Sequence, residues 1–419
     1  MFSRLGLAER CLTGKFGTCL PSCDGKRGPV AGASEDNVNV SLPFGLTEDA
    51  LAAAMPEEDL ESLAAVSRMR ARYGPELAAA ALTQVAWRRR ATAKFGDAAL
   101  EMFFTRAGLE QATRPEVADY HASRFVRAGV RRVIDIGCGI GSDSMAFARA
   151  GLEVIAVEVD PATAAVARAN LAGRAEVVCA DATQVVEQLT DPGVAVFCDP
   201  ARRNVHGRVW RVEDFTPPWS FVKALLDSRR TAGVKLGPAL PHSLIPDAVD
   251  AEWITHRGET VEVALWAGAD SSAGRRSALI LPDARLTVTG APPLPVRELG
   301  RYLYEPAGAV IRAGAIPELG SQLGAGLLHP QIAYLTSDQL CSTRFATAFE
   351  VRQRLPFHVK ALCAWVREAQ IGVLEIKKRG IDVDPADLRK RLRLAGPNTA
   401  TVVISPTPKG VTAAIVERA

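Results

Sequence analysis

The chain has 419 residues, of which 48% are hydrophobic, and it carries 50 lysines and arginines against 47 aspartates and glutamates. This length predicts two to three domains, and no stretch approaches the ~20 consecutive apolar residues of a membrane span. The amino terminus lacks the apolar core of a signal peptide, so we predict a cytoplasmic protein. The cysteines at 11, 19 and 23 lack a matching second half for a zinc site, and we predict no metal.

The first part of the chain contains two different regions. Residues 1–40 hold glycine, serine, proline and charges without periodicity, and we predict a disordered leader there. Residues 41–115 are predicted to be helical, with helices starting at Thr47 and Pro75. Within this region, residues 87–90 and Lys94 form a basic cluster that is typical of a solvated helix face. The apolar segment 102–113 is predicted to fold over the mouth of a ligand site.

The most informative segment is 133–141, an apolar run that ends in Asp135 and continues with Gly137, Gly139 and Gly141. Glycines let the backbone turn sharply and let a ligand approach where a Cβ would clash. A helical pattern starts at Ser142, and the amino terminus of a helix offers unpaired N–H groups. The segment therefore predicts a loop that cradles a nucleotide.

Two classes of nucleotide compete for this loop. The dinucleotide fingerprint is G-x-G-x-x-G, whereas here the third glycine comes one position early. Asp135 beside the loop would repel a pyrophosphate and attract a cationic ligand. The loop therefore favours S-adenosylmethionine, which is positively charged and has no phosphate. Alternatively, Asp135 caps the glycine turn, and it could do both.

Acidic residues end the next two predicted strands. The strand at 152–159 ends in Glu158, which has no capping role and is placed to accept both ribose hydroxyls. Asp160 and Pro161 are interpreted as the structural start of a helix. The strand at 175–182 ends in Asp181, a candidate acceptor for the adenine amino group.

The fourth strand, at 194–203, carries the candidate catalytic residues Asp199 and Pro200. Methyl transfer needs an acceptor held in line with the methyl group and the loss of a proton, and Asp199 is our candidate for both tasks. The alternative is a simple Asp-Pro turn at the end of a strand. Arg202 and Arg203 are candidate phosphate ligands.

A fifth strand at 233–236 carries Lys235, a candidate substrate-binding residue. His242 follows it and is a candidate to line the same pocket. An ordinary loop histidine is an equal alternative.

The order of these motifs along the chain resembles a class I S-adenosylmethionine-dependent methyltransferase domain. The motifs are the acid and glycines at 135–141, Glu158, Asp181 and Asp199-Pro200. We expect this domain at residues 116–285. The resemblance implies an α/β fold with a Rossmann-like sheet. It also implies that Asp135 and the three glycines hold the methionine part of the cofactor, Glu158 the ribose and Asp181 the adenine.

One departure concerns the acceptor. Methyltransferases acting on base amino groups often hold Asp or Asn, two prolines and an aromatic residue at the end of the fourth strand. This chain has Ala201 and Arg202 in the later places, which puts base-amino methylation in doubt. The candidate aromatic partners are Trp210, Phe215 and Trp219.

Closing antiparallel strands of the sheet are predicted at 259–266 and 277–281. A proline-rich stretch at 291–295 follows, and we interpret residues 286–340 as a connecting region.

Residues 341–419 are predicted to form a separate α+β module, with strands at 349–355 and 371–378, a helix between them, a second helix capped by Asp384 and a final hairpin. Residues 343–419 carry a net charge of +7, from 14 basic and 7 acidic residues, against +3 for the whole chain. The module resembles a THUMP-like domain, which implies RNA as the partner. The candidate RNA contacts are Lys377, Lys378 and Arg379, although such a run is also typical of a solvated face.

The sequence therefore predicts a methyltransferase that modifies a nucleoside in tRNA or rRNA. Two alternatives stay open at this point. One is a non-catalytic RNA-binding protein on the same scaffold, and the other is an NAD(P)-dependent oxidoreductase.

Overall fold

A computed structural model describes residues 42–187, 191, 193–202, 215–228 and 230–419. The predicted leader at 1–40, with its three cysteines, lies outside the described residues, as do Arg203 and Trp210. Within those ranges, no helix is both long enough and apolar enough to cross a lipid bilayer.

Helices make up the amino-terminal region. They are α1 (Glu48–Ala54), α2 (Leu63–Tyr73), α3 (Pro75–Phe95), α4 (Arg106–Gln111) and α5 (Pro115–Arg127). The side chain of Thr47 caps α1 by accepting from the N–H of Ala50, and Pro75 occupies the first position of α3, where its missing N–H costs nothing. Both predicted helix starts are confirmed.

The basic cluster at 87–90 and Lys94 is largely built into the fold. Arg88 is buried, and its Nε donates to the carbonyl of Met102 at 2.8 Å. Arg89 donates to the carbonyls of Met55 and Glu57 at the end of α1. Lys94 donates to the carbonyl of Leu109 at 3.1 Å. The interpretation of a solvated face was wrong for these three side chains, because backbone carbonyls of neighbouring segments accept from them.

The central part of the chain alternates strands and helices. In chain order it contains β1 (Arg132–Ile136), α6 (Ser142–Arg149), β2 (Glu153–Glu158), α7 (Pro161–Leu171), β3 (Glu176–Cys179), α8 (Ala182–Glu187), β4 (Val194–Cys198), β5 (Ala201–Arg202), β6 (Phe215–Thr216), α9 (Trp219–Asp227), β7 (Ala232–Leu236), β8 (Asp250–His256), β9 (Glu259–Ala267), β10 (Arg276–Ile280) and β11 (Ala284–Thr287). Nine of these strands form one sheet in the order β11-β10-β8-β9-β7-β4-β1-β2-β3, and β5 pairs with β6 in a small ribbon.

The sheet brings the predicted site residues to one edge. Strands β3, β2, β1, β4 and β7 are parallel neighbours, so their carboxyl ends lie together. The order reverses beside β1, which is where an open α/β sheet forms its ligand crevice.

The far side of this sheet differs from the prediction. Strand β9 is antiparallel to β7, as expected, but β10 runs parallel to β8. Strand β8 was not predicted, because Asp250, Glu252 and His256 make its sequence look like a surface loop. All of its residues are buried, and ion pairs to Arg124, Arg275 and Arg285 accommodate its two acids.

A second sheet contains the rest of the chain. Its elements are β12 (Tyr302–Pro306), α10 (Gly308–Ala313), α11 (Ile316–Leu323), β13 (Gly326–His329), β14 (Ile332–Ser337), β15 (Ala346–Pro356), α12 (Val359–Glu368), β16 (Ile371–Lys378), α13 (Pro385–Leu392), β17 (Asn398–Thr407) and β18 (Gly410–Arg418). The strand order is β13-β14-β12-β15-β18-β17-β16.

The region at 286–340 is therefore more than a connection. It supplies β12, β13 and β14, and β12 pairs directly with β15 of the carboxyl-terminal module. Short strands such as these are stabilised by their neighbours in the sheet, so their own sequence predicts them poorly. The elements predicted after residue 345 are confirmed, including the cap of α13, where Asp384 accepts from the N–H of Asp387.

The two sheets share one apolar core. Val234 and Trp253 of the first sheet belong to the same buried cluster as Tyr304 and Leu335 of the second. A continuous apolar contact of this kind fixes the second sheet against the sheet that carries the predicted site.

Candidate functional site

A cleft of about 770 Å³ opens at the carboxyl edge of the parallel strands. Most of the predicted site residues line it, namely Asp135, Gly137, Gly139, Glu158, Asp181, Asp199, Pro200 and Lys235. The segment predicted to fold over the mouth contributes Thr105, Gly108 and Thr113 to the wall. The structure thus brings together residues that are up to 130 positions apart in the sequence.

The glycine loop is fixed between two strands. The N–H groups of Gly137 and Cys138 donate to the carbonyl of Val157 at 2.9 and 3.1 Å. Gly137 has φ +71°, and a Cβ there would lie 2.8 Å from the carbonyl oxygen of Asp199. Gly141 does not line the cleft. It starts α6 in a left-handed conformation, and a Cβ there would meet Leu171 of α7 at 3.5 Å.

Glu158 holds the end of β2 to the glycine loop. Its Oε2 accepts from the N–H of Gly139 at 3.1 Å, and its Oε1 accepts from the N–H of Asp160 at 2.9 Å. The expectation that Glu158 has no capping role was wrong, because the turn after β2 points an N–H at it. A carboxylate has about four acceptor positions, so it retains capacity for a ligand hydroxyl.

The other two strand-end acids have local partners as well. Asp160 caps α7 by accepting from the N–H of Thr163, as predicted. Asp181 accepts from the N–H and hydroxyl of Thr183 at 2.8 and 2.7 Å, and it lines the cleft.

Asp135 lies almost completely buried behind the glycine loop. It accepts from the hydroxyl of Ser144 at 2.5 Å. Burial, together with the nearby charge of Asp143, raises the pKa of Asp135 to about 8. A carboxylate in such a place is stabilised by a cation and destabilised by a phosphate.

An unpaired polar atom marks the same wall. The hydroxyl of Ser142, at the start of α6, is buried and has no hydrogen-bond partner among the described residues. It lines the cleft beside the loop glycines. A buried polar group without a partner is costly, and a polar ligand in the cleft would satisfy it. Together with the acids at the strand ends, this wall fits S-adenosylmethionine.

Sequence analysis missed a buried chain of polar residues behind the cleft. His121 of α5 is fully buried, with Nδ1 2.8 Å from Asp143 Oδ1 and Nε2 2.7 Å from Glu262 Oε1. Asp143 also accepts from the hydroxyl of Thr113 at 2.5 Å. The only sequence signal was a histidine on the apolar face of a helix, which more often marks an ordinary core residue.

His121 in this chain is an imidazolium. Burial alone would lower its pKa, but Glu262 and Asp143 outweigh that effect and raise the pKa to about 10. Both ring nitrogens then donate, one to each carboxylate. Burial opposes ionisation of Asp143, but its hydrogen bond to His121 outweighs burial and lowers the pKa of that carboxyl.

Lys235 joins this chain to the candidate catalytic acid. Its Nζ donates to Asp199 Oδ2 at 2.5 Å and to the hydroxyl of Thr113 at 3.0 Å. Burial would lower the pKa of Lys235, but Asp199 and Asp143 outweigh it and raise the pKa above the ordinary value. The Asp199 side chain keeps 36% of its surface exposed to the cleft, and its Oδ1 accepts no hydrogen bond from the described residues.

The two candidate aromatic residues that the structure describes after Asp199 do not form a wall of the cleft. Phe215 is buried and packs on Trp219 with ring centroids 6.0 Å apart, and neither lines the cleft. Thr216, Pro217 and Pro218 face the cleft instead. Arg202 belongs to the β5–β6 ribbon, where it pairs with Phe215.

The remaining candidate residues lie away from this cleft. Lys377 pairs with Glu305 at 2.8 Å, Lys378 donates to the carbonyl of Ile381 at 3.4 Å, and Arg379 lies over the ring of Tyr334. His242 stacks on Trp253 and lines a second cavity, so the expectation that it lines the pocket of Lys235 was wrong. The loop after β7 carries it past the edge of the sheet.

Family models match three parts of the chain. A methyltransferase domain matches residues 133–204, a THUMP domain-like model matches residues 346–418, and a domain of unknown function matches residues 48–91. The first two matches confirm the resemblances predicted for the glycine loop and for the carboxyl-terminal module.

Similar proteins extend over most of the chain. It is 34% identical over 352 residues to a Mycobacterium tuberculosis (strain H37Rv) protein described as an uncharacterized S-adenosylmethionine-dependent methyltransferase. That alignment covers 80% of this chain and 95% of the relative, and the counterpart from strain CDC 1551 matches equally.

A solved structure has the same fold. A crystal structure of a Porphyromonas gingivalis W83 protein, assigned as a methyltransferase, superposes with a TM-score of 0.70 at 23% identity. The match covers 88% of this chain and 98% of that one.

Proposed function

The chain belongs to the S-adenosylmethionine-dependent methyltransferases, and we propose that it transfers the methyl group to a nucleoside in RNA. Membership of this family removes the two alternatives, an oxidoreductase and a non-catalytic scaffold. When bound, S-adenosylmethionine supplies a methyl carbon activated by a positively charged sulfur. The cofactor and the enzyme class are therefore known, and the acceptor is the proposal.

The single observation that carries this acceptor is the basic face of the THUMP-like module. Helices α12 and α13 pack together on one side of the second sheet. Four exposed side chains on or beside them, Lys360, Arg367, Arg391 and Arg393, have no hydrogen bond or ion pair among the described residues. We call these four residues the α12–α13 basic face.

This face has the properties of a polyanion-binding surface. Exposed cations without protein partners can neutralise phosphates and release their counterions, which favours binding. The only exposed acid of α12 is Glu368, and on α13 the acid Asp387 is paired with Lys390 at 3.3 Å. The four cations of the α12–α13 basic face are therefore displayed to solvent rather than consumed by ion pairs.

We assign the cofactor to the wall built by Asp135, Ser142, Glu158 and Asp181. Asp135 lies beside the methionine part, where the positive charge of the cofactor would favour its ionised form, and Glu158 retains acceptor capacity for the ribose. The glycine loop leaves the space that a Cβ would fill.

Asp199 is the residue we assign to the acceptor. Its Oδ2 is engaged by Lys235, which leaves Oδ1 to accept an N–H or O–H of the nucleophile and to take the proton that the nucleophile loses. Lys235 stays protonated at neutral pH, so it orients Asp199 and does not act as the base.

Methyl transfer from tritiated S-adenosylmethionine into total RNA tests the proposal. We expect label in RNA with the wild type and a kcat about 10²–10⁴-fold lower with Asp199→Asn, because the carboxylate that orients the acceptor is lost. Calorimetry with S-adenosylhomocysteine should give the same affinity for both proteins.

Asp160→Asn is the matched control. It removes the same charge from an exposed cap outside the cleft, and asparagine caps helices equally well. Label appearing in protein or small molecules and not in RNA would reject RNA as the acceptor. Full turnover by Asp199→Asn would remove Asp199 from the mechanism.

A further inference from the structure

A second cavity, of about 470 Å³, lies next to the cofactor cleft. The two share the segment that follows β7. Lys235 and Gly237 line the cleft, whereas Pro238 and His242 line the second cavity. Consecutive residues, Gly237 and Pro238, therefore line the cleft and the second cavity.

Two arginines from the part of the chain that forms the second sheet line the second cavity. Arg312, near the end of α10, is exposed, and its guanidinium has no partner among the described residues. Arg379, just beyond β16, also lines the cavity and lies 3.8 Å from Glu305. Glu305 is already paired with Lys377 at 2.8 Å, so it neutralises Arg379 only in part. None of the described residues that line the cavity is acidic.

The wall of this cavity is held in one arrangement by His242. Its Nε2 lies 2.6 Å from the carbonyl oxygen of Arg312, so this nitrogen carries the proton and donates. Nδ1 is then the acceptor for Arg276 at 3.0 Å. The imidazole also stacks on the buried ring of Trp253, with centroids 5.0 Å apart. These contacts tie the segment after β7 to α10, and they fix the backbone that carries Arg312.

We propose that the second cavity binds a backbone phosphate of the RNA strand whose neighbouring nucleotide enters the cofactor cleft. This inference rests on the proposed function. An arginine without a protein partner beside a second, partly neutralised one matches the planar, bidentate recognition of phosphate. The second cavity lies between the THUMP-like module and the cleft. An RNA strand bound to the module would therefore pass this cavity on its way to Asp199.

The test measures RNA binding directly. Fluorescence anisotropy follows a labelled short single-stranded oligoribonucleotide binding to the full chain with saturating S-adenosylhomocysteine, between about 50 and 200 mM salt. Arg312→Gln keeps the backbone carbonyl that His242 uses. We expect it to weaken binding about three- to ten-fold and to reduce the slope of log affinity against log salt by about 0.7.

Arg131→Gln is the matched control. Arg131 is exposed and precedes β1, so it lies at the opposite edge of the sheet. It should change neither the affinity nor the slope.

Two results would overturn the phosphate site. They are wild-type RNA affinity in Arg312→Gln and no RNA binding by the wild type. The transfer assay decides the proposed function separately. If the wild type methylates RNA but Arg312→Gln binds RNA as tightly as the wild type does, only the second-cavity site is rejected.

Discussion

The core behind the cofactor cleft and the α12–α13 basic face use charge in opposite ways. Behind the cleft, His121, Asp143 and Glu262 are nearly fully buried, and each is bonded to a partner. On the basic face, cations such as Lys360 and Arg391 are exposed and unpaired among the described residues. A buried charge requires its partners in one fixed geometry, because the loss of a partner leaves an uncompensated charge in the interior. An exposed charge is solvated by water, so the loss of its partner costs little stability.

This difference corresponds to two tasks. The cleft must hold a reacting pair in line to within a fraction of an ångström, and a rigid buried network serves that need. The basic face has to attract a flexible polyanion, for which mobile, hydrated side chains are sufficient. Charge in the first region should therefore control stability, and charge in the second should control binding.

The largest expected effect is on the buried network. His121→Ala leaves Asp143 and Glu262 facing each other without a cation, and we expect it to lower the free energy of unfolding by about 3–5 kcal/mol at pH 7. Chemical denaturation measures this change. His358→Ala, at an exposed histidine, is the control and should stay within about 0.5 kcal/mol of the wild type.

The stability of His121→Ala should also depend on pH differently from that of the wild type. The pKa of His121 is about 10 in the folded chain, against an unfolded value near 6.5. A raised pKa gives stability that is fully present below about pH 6.5 and is lost as pH rises through about 10. We expect the free energy of unfolding of the wild type to fall across that pH range. The variant His121→Ala should not show this fall. Parallel pH profiles for the two proteins would contradict a charged His121.

A half-buried pair gives an intermediate case. Glu305 is 22% exposed and holds Lys377 at 2.8 Å, with Arg379 nearby. Glu305→Gln should cost about 1 kcal/mol of stability and strengthen RNA binding, because it frees two cations. Glu298→Gln, at an exposed pair with Lys409, is the control. Unchanged RNA affinity in Glu305→Gln would show that these cations act only within the fold.

The smallest effect on stability is expected at the surface. Lys360→Gln with Arg391→Gln should change the free energy of unfolding by less than about 0.5 kcal/mol, while RNA affinity falls and its salt dependence becomes weaker. Denaturation and anisotropy on the same samples separate the two effects. Unchanged RNA affinity would assign the docking surface elsewhere.

Sequence reasoning found the residues that line the proposed cofactor wall, because their signals are local along the chain. Asp135 and the glycines occupy one turn, and Glu158 and Asp181 each end an apolar run, so parallel-strand geometry alone brings them together. It failed at β8 and at the strands β12–β14. There, buried acids such as Glu252 are stabilised by arginines from distant elements, and the short strands depend on their sheet neighbours.

Charge runs were the weakest guide. The run at 377–379 predicted cations free for RNA, whereas the side chains of Lys377 and Arg379 already contact Glu305 and Tyr334, which lie far away in sequence. Arg88 and Arg89 similarly bind carbonyls at helix ends. Whether a cation is free depends on what the fold places beside it.

By itself, the sequence determined the methyl donor, since the position of Asp135 and the spacing of the three glycines are properties of a single turn. Only the tertiary structure decided how Asp199 is oriented. That role depends on Lys235, Thr113, Asp143 and His121, four residues from separate elements that only the packed fold brings within hydrogen-bond distance of their neighbours.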